Sequence, residues 1–273
     1  MNIVVCIKQV PSHMKVKLDP TDNTVIREEV PGIINPDDKS GIEVALRLKY
    51  AIQGSKVTAI SMGPENAKKA LREALAMGVD EAILLSDIAF AGSDTFATSA
   101  VLASAIRKLK YDVIIAGRHT TDGETAQVGP ELAEHLGIPQ ITHCKDVYFE
   151  NESLIAERQF EDRIHVIKAQ TPCLFTVMSE KIVPRYMSVM GVFDSFKKIE
   201  DDQGQTNDRI KVWNISNLGD EINSSSIGID GSPTEVKKIF DNSIKKHGIK
   251  KQNISAENAA DEILNVLIDK GFI

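Results

Sequence analysis

The segment from Gly117 to Pro130 contains residue types that are found in phosphate-binding loops. It reads GRHTTDGETAQVGP, with Gly117 and Gly123 among hydroxyl and amide side chains. A helix N-terminus near Glu124 would offer free amides and a positive dipole end to an anion, and the glycines would allow close backbone approach. An ordinary strand-to-helix turn with an acidic cap fits the pattern equally well, so both interpretations stay open.

No other stretch offers a set of catalytic side chains. The sequence has neither a GxGxxG motif after its first strand nor a GxxxxGK[ST] motif, so the standard dinucleotide and P-loop fingerprints are missing. The six histidines show no HExxH spacing, and only His119 lies in the glycine-bearing segment. Cys6, Cys144 and Cys173 lack Cys-x-x-Cys spacing, which predicts buried thiols in a reducing compartment. We predict no catalytic residue and no metal site.

The composition excludes several classes of protein. Of the 273 residues, 42% are hydrophobic and 26% are charged, which is typical of a globular chain. Lys and Arg number 32 against 39 Asp and Glu, a net charge of -7, so nucleic acid is not expected as a partner. The N-terminus has no signal-peptide pattern, and no apolar run reaches 18 residues. These features predict a cytoplasmic protein without membrane insertion.

The first half of the chain alternates short β-branched runs with amphipathic segments, which predicts an α/β fold. Its helices are expected to begin at a Ser40–Glu43 capping box, at Pro64 and at Asp94, the last with Phe96 facing inward. The predicted strands are Ile3–Gln9, Lys56–Met62, Glu81–Ser86 and Val113–Gly117. We expect a Rossmann-like, doubly wound, mostly parallel sheet in the order 3-2-1-4-5. Ligands would then bind where the order reverses, between the ends of strands one and four.

The second half departs from this alternation. Three short runs at Val147–Phe149, Leu154–Ala156 and His165–Ile167 predict a β-hairpin excursion, and Pro172–Met178 predicts a last buried strand. Beyond residue 200, helices are predicted from Ser232 and over Ala256–Asp269, while residues 200–230 offer little apolar surface. The apolar positions of this tail are Ile239, Phe240, Ile263, Leu264 and Leu267. The tail is therefore expected to be an arm that needs a partner surface.

Five long stretches of the sequence together resemble the β subunit of electron transfer flavoprotein. They are IVVCIKQV, INPDDKSGIEVALRLK, SMGPENAKKALREALAMGVDEAILL, AGRHTTDGETAQVGPELAEHLGIPQIT and TVMSEKIVPRYMSVMGVFDSFKKIE. The resemblance implies an adenine-nucleotide-binding α/β domain over residues 1–190. It also implies a partner-recognition loop and a C-terminal arm, wrapped on the α subunit, over residues 191–273.

The resemblance also implies a set of cofactor-binding residues. Carried over by motif, they are Cys6, Asn35, Pro36, Asp37, Asp38, Met62, Gly117, Arg118, His119, Thr120, Thr121, Asp122, Gly123, Glu124, Thr125, Ala126, Gln127 and Val128. Conventional members of the family hold AMP and have extra acidic residues and an asparagine after the loop aspartate. The form DGETAQVGP is instead similar to the electron-bifurcating group, which holds FAD.

The function implied by the bifurcating resemblance is electron transfer from NADH. The β-bound FAD would take a hydride from NADH and divide its electrons between ferredoxin or flavodoxin and the α-subunit FAD, which feeds a flavin-dependent dehydrogenase. The alternatives are a conventional electron carrier with structural AMP and a nucleotide-binding scaffold or sensor. A free-standing NAD enzyme is disfavoured because the dinucleotide fingerprint is missing.

The resemblance further implies a docking loop between Arg185 and Phe196 for a partner like acyl-CoA dehydrogenase. By motif position Val189 is the anchor, beside Met187 and Met190. Adaptable methionines suit a transient redox contact. The same residues could equally form a small apolar cluster beneath the arm.

Overall fold

The computed structural model describes residues 1–12, 31–200, 206–237, 250 and 252–273. Within these residues the chain divides into two compact units, Met1–Glu235 and Val236–Ile273. The first compact unit continues to Glu235, and the functional boundary between residues 190 and 191 that the resemblance implies stays a prediction. The role of the C-terminal residues as an arm on a partner stays a prediction.

The strands are short and most of them are buried. They are β1 (Asn2–Cys6), β2 (Gln9–Pro11), β3 (Gly32–Ile34), β4 (Lys56–Met62), β5 (Glu81–Leu85), β6 (Val113–Gly117), β7 (Gln140–Glu150), β8 (Ser153–Gln159), β9 (Ile164–Ala169), β10 (Cys173–Val177), β11 (Lys198–Glu200), β12 (Thr206–Asp208) and β13 (Ile210–Trp213). The helices are α1 (Pro36–Ala51), α2 (Lys68–Met77), α3 (Thr95–Arg107), α4 (Val128–Leu136), α5 (Val189–Ser195), α6 (Ile215–Leu218) and α7 (Ala256–Asp269).

Nine strands form one sheet in the order β13-β5-β4-β1-β6-β10-β7-β8-β9. Neighbours from β13 to β7 are parallel, and β7, β8 and β9 form an antiparallel excursion. The chain passes from β1 outward to β4 and β5, then returns to β6 on the other side of β1. The predicted sheet and its hairpin are confirmed, and the order reverses between β1 and β6 as expected.

The helices cover both faces of this sheet. On one face, α1 and α2 pack over Ile3, Val5 and Ile115, and on the other α3 and α4 pack over Val4 and Ile114. Alternate residues of a strand point to opposite faces, so each buried strand supplies both cores.

Two of the predicted helix starts are wrong. α1 begins at Pro36 rather than at a Ser40 capping box, because Pro36 suits the first turn and Asp37 and Asp38 face the positive dipole end. The Ser40 hydroxyl lies inside the helix and donates to the Ile182 carbonyl. α2 begins at Lys68, after a 3₁₀ turn over Glu65–Ala67.

The start of α3 is confirmed, whereas the inward position of Phe96 is wrong. The Asp94 carboxylate accepts the Ala97 N–H as an N-cap. Phe96 is exposed, with its ring centroid 5.1 Å from that of His135.

The segment after residue 206 contributes more to the core than its sequence suggested. β13 pairs in parallel with β5 at the edge of the sheet, and Leu218 and Ile227 are buried against the α3 face. The expectation of little apolar surface in this segment is therefore wrong. Residues 232–237 are not helical, and the Thr234 N–H and hydroxyl both donate to Asp94.

Among the described residues of the unit Val236–Ile273, the helix is α7. Its predicted bounds are confirmed, and Ser255 caps it by accepting the Asn258 N–H. Ile263 and Leu264 are exposed, while Leu267 is half-buried. Ile239 and Phe240 lie outside the described residues. In the part of the chain that the structure describes, no helix is long and apolar enough to cross a bilayer, and no cluster of metal ligands occurs.

Candidate functional site

The crevice at the strand-order reversal is bordered by the ends of β1 and β6 and by the loop over residues 118–127. This loop is longer than predicted, because α4 begins at Val128 and not near Glu124. Glu124 and Ala126 have φ angles of 52° and 54°, which lie in the left-handed region and exclude a right-handed helix there. The predicted helix start is therefore wrong, and four more residues belong to the loop.

Asn35 holds the first turn of this loop from the start of α1. Its side chain is fully buried; Nδ2 donates to the His119 carbonyl at 2.8 Å, and Oδ1 accepts the Thr121 N–H at 3.1 Å. Asn35 makes no side-chain cap to its own helix. The loop needs both a donor and an acceptor at this position, which an amide supplies and a carboxylate does not.

Asp38 ties the ends of β1 and β6 together beneath the loop. One carboxylate oxygen accepts the Lys8 N–H at 2.8 Å, and the other accepts the Gly117 N–H at 3.0 Å. Burial raises the pKa of Asp38 to about 7, against the lowering effect of these hydrogen bonds. A Cβ atom on residue 117 would lie 2.2 Å from Asp38 Oδ1. Glycine is required there by the approach of α1.

Asp37 connects the same loop to the end of β10. Its Oδ1 accepts the Ser179 N–H at 2.9 Å, and its Oδ2 lies 3.1 Å from His119 Nδ1. Arg118 Nε lies 3.4 Å from Asp37 Oδ2, while Arg118 Nη1 binds Glu180 at 3.0 Å. Three polar side chains at the start of α1 thus bind the end of β1, the end of β6 with its loop, and the end of β10. We call these side chains, Asn35, Asp37 and Asp38, the α1 clamp.

Lys8 and Asp122 form an ion pair across the crevice. Lys8 Nζ lies 2.9 Å from each carboxylate oxygen of Asp122. Partial burial alone would raise the pKa of Asp122, but the hydrogen bond from Lys8 and its charge hold it below the ordinary value. Lys8 lies two residues after the end of β1, within the stretch Cys6–Val10 that was expected to line the crevice, although no motif singled out Lys8 itself.

The outer part of the loop presents free backbone donors. Among the described residues, no acceptor lies within range of the N–H groups of Gly123, Thr125, Ala126 and Gln127. Ala126 is left-handed and Gln127 is right-handed, with φ -102° and ψ -34°. Successive residues of opposite hand turn their N–H groups toward one side and form an anion-binding nest. The free first-turn amides of α4 follow directly.

The remaining predicted residues occupy different surroundings. Cys6 and Met62 lie on the α3 face of the sheet at the ends of β1 and β4. Burial, and then the charge of Asp38, raise the pKa of the Cys6 thiol to about 12, so it is neutral and unsuited to nucleophilic attack. Pro36 lines a separate cavity of about 270 Å³ with Lys39 and Ile182. Thr120 accepts the Glu124 N–H at 2.8 Å and shapes the loop.

The predicted docking residues lie on an exposed apolar segment. Val189 and Met190 begin α5 and are 72% and 65% exposed, and Met187 is also exposed. Gly191 seats this helix on α2, because a Cβ there would lie 2.3 Å from the Ala76 carbonyl oxygen. Neighbouring exposed side chains are Val183, Tyr186, Phe193 and Phe196. A patch of this kind marks an interaction surface in many proteins.

Comparison with known proteins identifies relatives of the whole chain. The electron transfer flavoprotein domain matches residues 22–205. An electron transfer flavoprotein subunit beta from Clostridium acetobutylicum is 50% identical over 248 residues, which covers 91% of each chain. Caffeyl-CoA reductase-Etf complex subunit CarD of Acetobacterium woodii is 42% identical and covers both chains completely. Acryloyl-CoA reductase electron transfer subunit gamma of Anaerotignum propionicum is 41% identical over 99% of this chain and 97% of its own.

Proposed function

The chain belongs to the electron transfer flavoprotein family, among its β subunits, and we propose that it binds an adenine nucleotide in the crevice between β1 and β6. FAD is the proposed cofactor, with AMP as the alternative. The observation that carries this proposal is the nest of free N–H groups at Ala126 and Gln127, followed by the start of α4. Converging amides at a helix N-terminus suit the negative charge of phosphate groups.

The residues at the crevice divide into two sets by the way their polar atoms are used. The amide and carboxylate groups of the α1 clamp are bonded to protein groups, most of them backbone, so we assign the clamp to shaping the site. Thr121, Gly123 and Thr125 are exposed in the loop. We therefore propose that the loop and not the clamp supplies direct contacts.

The choice of FAD over AMP rests on the loop sequence and the space beside it. The resemblance implies extra acidic residues and an asparagine after the loop aspartate in conventional members, whereas this chain has Gly123-Glu124-Thr125-Ala126 there. A Cβ on Gly123 would meet only Thr120 Oγ1, at 3.4 Å, so the loop leaves open space at that position. We propose that FAD occupies this open side of the loop.

When bound, the flavin would accept a hydride from NADH and pass electrons to ferredoxin or flavodoxin and toward the α-subunit FAD. The chain's own residues bind and orient this group. The loop amides would hold phosphates, and the Lys8–Asp122 ion pair links the stretch after β1 to the loop after β6. Burial keeps the Cys6 thiol neutral, and we assign it no role in proton transfer.

The proposed partners are an α subunit and a flavin-dependent dehydrogenase. Two relatives are named as subunits of caffeyl-CoA and acryloyl-CoA reductases, which supports a partner that acts on CoA thioesters. The exposed segment with Met187, Val189 and Met190 is the proposed docking surface for the dehydrogenase. The exposed side chains of α7 are proposed to contact the α subunit.

A cofactor count tests the nucleotide proposal. The chain is co-expressed with its α subunit, the cofactors are released, and FAD is counted against AMP. Two FAD per heterodimer support the proposal, one FAD and one AMP support the alternative, and one FAD without AMP contradicts both. Gly123→Val should lose the β-subunit nucleotide, because the valine side chain would occupy the open space beside the loop where the ligand is proposed to bind. An unchanged content in this variant would contradict the site.

Two truncations test the role of the C-terminal unit. A chain ending at Glu235 keeps β13, Leu218 and Ile227 and is expected to stay folded but to lose stable association with the α subunit. A chain ending at Lys198 loses the edge strand and both side chains and is expected to aggregate or unfold. Circular dichroism and co-purification measure the two effects. Undiminished association of the chain ending at Glu235 would contradict the arm.

A further inference from the structure

The backbone of Lys8 is fixed at the edge of the crevice. Its N–H donates to Asp38 at 2.8 Å, and its carbonyl accepts the Asn35 N–H at 2.9 Å. Both partners belong to the α1 clamp, which is buried. The side chain of Lys8 therefore extends from a backbone that is fixed at the crevice.

Asp122 is the residue that this side chain reaches. It lies three residues after His119, whose carbonyl accepts a hydrogen bond from Asn35, and four residues before Ala126 in the nest. A carboxylate in the same loop, four residues from an anion-binding nest, would repel phosphate groups bound there. Lys8 Nζ lies 2.9 Å from both oxygens of Asp122 and offsets this charge.

The other cation near the loop is committed elsewhere. Arg118 pairs with Glu180 at 3.0 Å and lies 3.4 Å from Asp37. Within the described part of the chain, Lys8 is the cation that forms an ion pair with the exposed stretch of the loop, residues 121–125.

We infer that Lys8 is a positioning residue that acts through Asp122: it neutralises the Asp122 carboxylate and holds the loop so that its free amides can bind an anionic nucleotide. This inference rests on the proposed nucleotide function. It assigns Lys8 no direct contact with the ligand, in contrast to the usual role of a lysine beside phosphate.

A double-mutant cycle tests this inference. The variants are Lys8→Met, Asp122→Asn and the two together, each in the full chain with its α subunit and depleted of nucleotide. AMP is the probe, and its dissociation constant is measured by calorimetry. Lys211→Met is the matched control, because Lys211 also forms an exposed ion pair, at 3.1 Å to Glu81. Glu81 is the first residue of β5, so this pair lies at the edge of the sheet away from the crevice.

The expected result is a coupling between the two positions. Lys8→Met should weaken AMP binding about tenfold, since it leaves the Asp122 charge beside the nest. In the Asp122→Asn background the same substitution should change AMP binding less than about twofold. Higher salt should reduce the effect of Lys8→Met in the parent background by screening the uncovered charge. The Lys211→Met control should bind like the parent.

Two results would overturn the inference. An equal loss from Lys8→Met in both backgrounds would show that Lys8 contacts the ligand directly. No loss in either would show a surface ion pair without a role in binding. Failure of the proposed function itself is distinguishable, because then the parent heterodimer would bind AMP no better than the α subunit alone and would retain no β-subunit FAD on purification.

Discussion

The α1 clamp and the apolar segment from Tyr186 to Phe196 depart from ordinary burial in opposite ways. The clamp places amide and carboxylate groups inside the protein and gives each of them protein partners. The apolar segment places Tyr186, Val189 and Phe193 in solvent. Buried polar groups and exposed apolar patches are the informative deviations from the usual pattern. The first indicates a shaped site, and the second indicates a missing partner.

A residue can therefore serve function in two ways: it can shape a binding site, or it can contact a partner. Clamp substitutions should alter the fold of the site before they alter any ligand contact, because the clamp atoms are already bonded. Substitutions in the apolar segment should leave the fold intact and alter association only. Stability and binding measurements, made together on one variant, therefore assign that residue to one of the two regions.

The largest effect is expected from Gly117→Ala. Its Cβ would lie 2.2 Å from Asp38 Oδ1 and 2.9 Å from Asp37 Cβ, so the strand end and α1 must separate. We expect a loss of about 3 kcal/mol or more in the free energy of unfolding, at the upper end of overpacking effects. Denaturant titration measures it. Gly123→Ala is the control, since its Cβ meets only Thr120 Oγ1 at 3.4 Å. Equal stability of both variants would contradict the close approach of the clamp.

A smaller, pH-dependent effect is expected from Asp38→Asn. The amide can accept only one of the two backbone N–H groups, which should cost about 1–3 kcal/mol at pH 5. The pKa of Asp38 is raised to about 7, so the stability linked to its proton is present at low pH and is lost as the pH rises from about 4 to 7. The variant cannot titrate, so its deficit should shrink between pH 5 and pH 8.

The measurement is urea unfolding of parent and Asp38→Asn at pH 5, 6, 7 and 8. Thr121→Val is a useful comparison, because it keeps the backbone N–H that Asn35 binds and removes an exposed hydroxyl. A deficit for Asp38→Asn that stays constant from pH 5 to pH 8 would show that the carboxylate is ionised throughout this range, contrary to the raised pKa.

The sequence predicted the sheet and the place of the crevice better than the details of the clamp. β-branched runs and the handedness of βαβ connections determine the order of the strands, so the reversal at β1 and β6 could be derived. The contacts of Asn35 and Asp37 join residues more than 80 positions apart, and no local pattern encodes them. The left-handed φ of Glu124 and Ala126 was missed because neither residue type favours it. Only the resemblance pointed to residues 35–38.

The smallest effect on stability is expected from Val189→Ala and Met190→Ala. These side chains are 72% and 65% exposed, so each substitution should change the free energy of unfolding by no more than about 0.5 kcal/mol. If they anchor the dehydrogenase, the loss of either should slow electron transfer to it about tenfold, because apolar anchors carry much of the binding energy of an interface. Val166→Ala is the matched control, since Val166 is 67% exposed on the edge strand β9. Stopped-flow measurement of dehydrogenase reduction compares the three variants at equal flavin content. Rates equal to that of the parent in all three variants would remove the docking role from this segment, whereas slow transfer by Val166→Ala as well would move the interface toward β9.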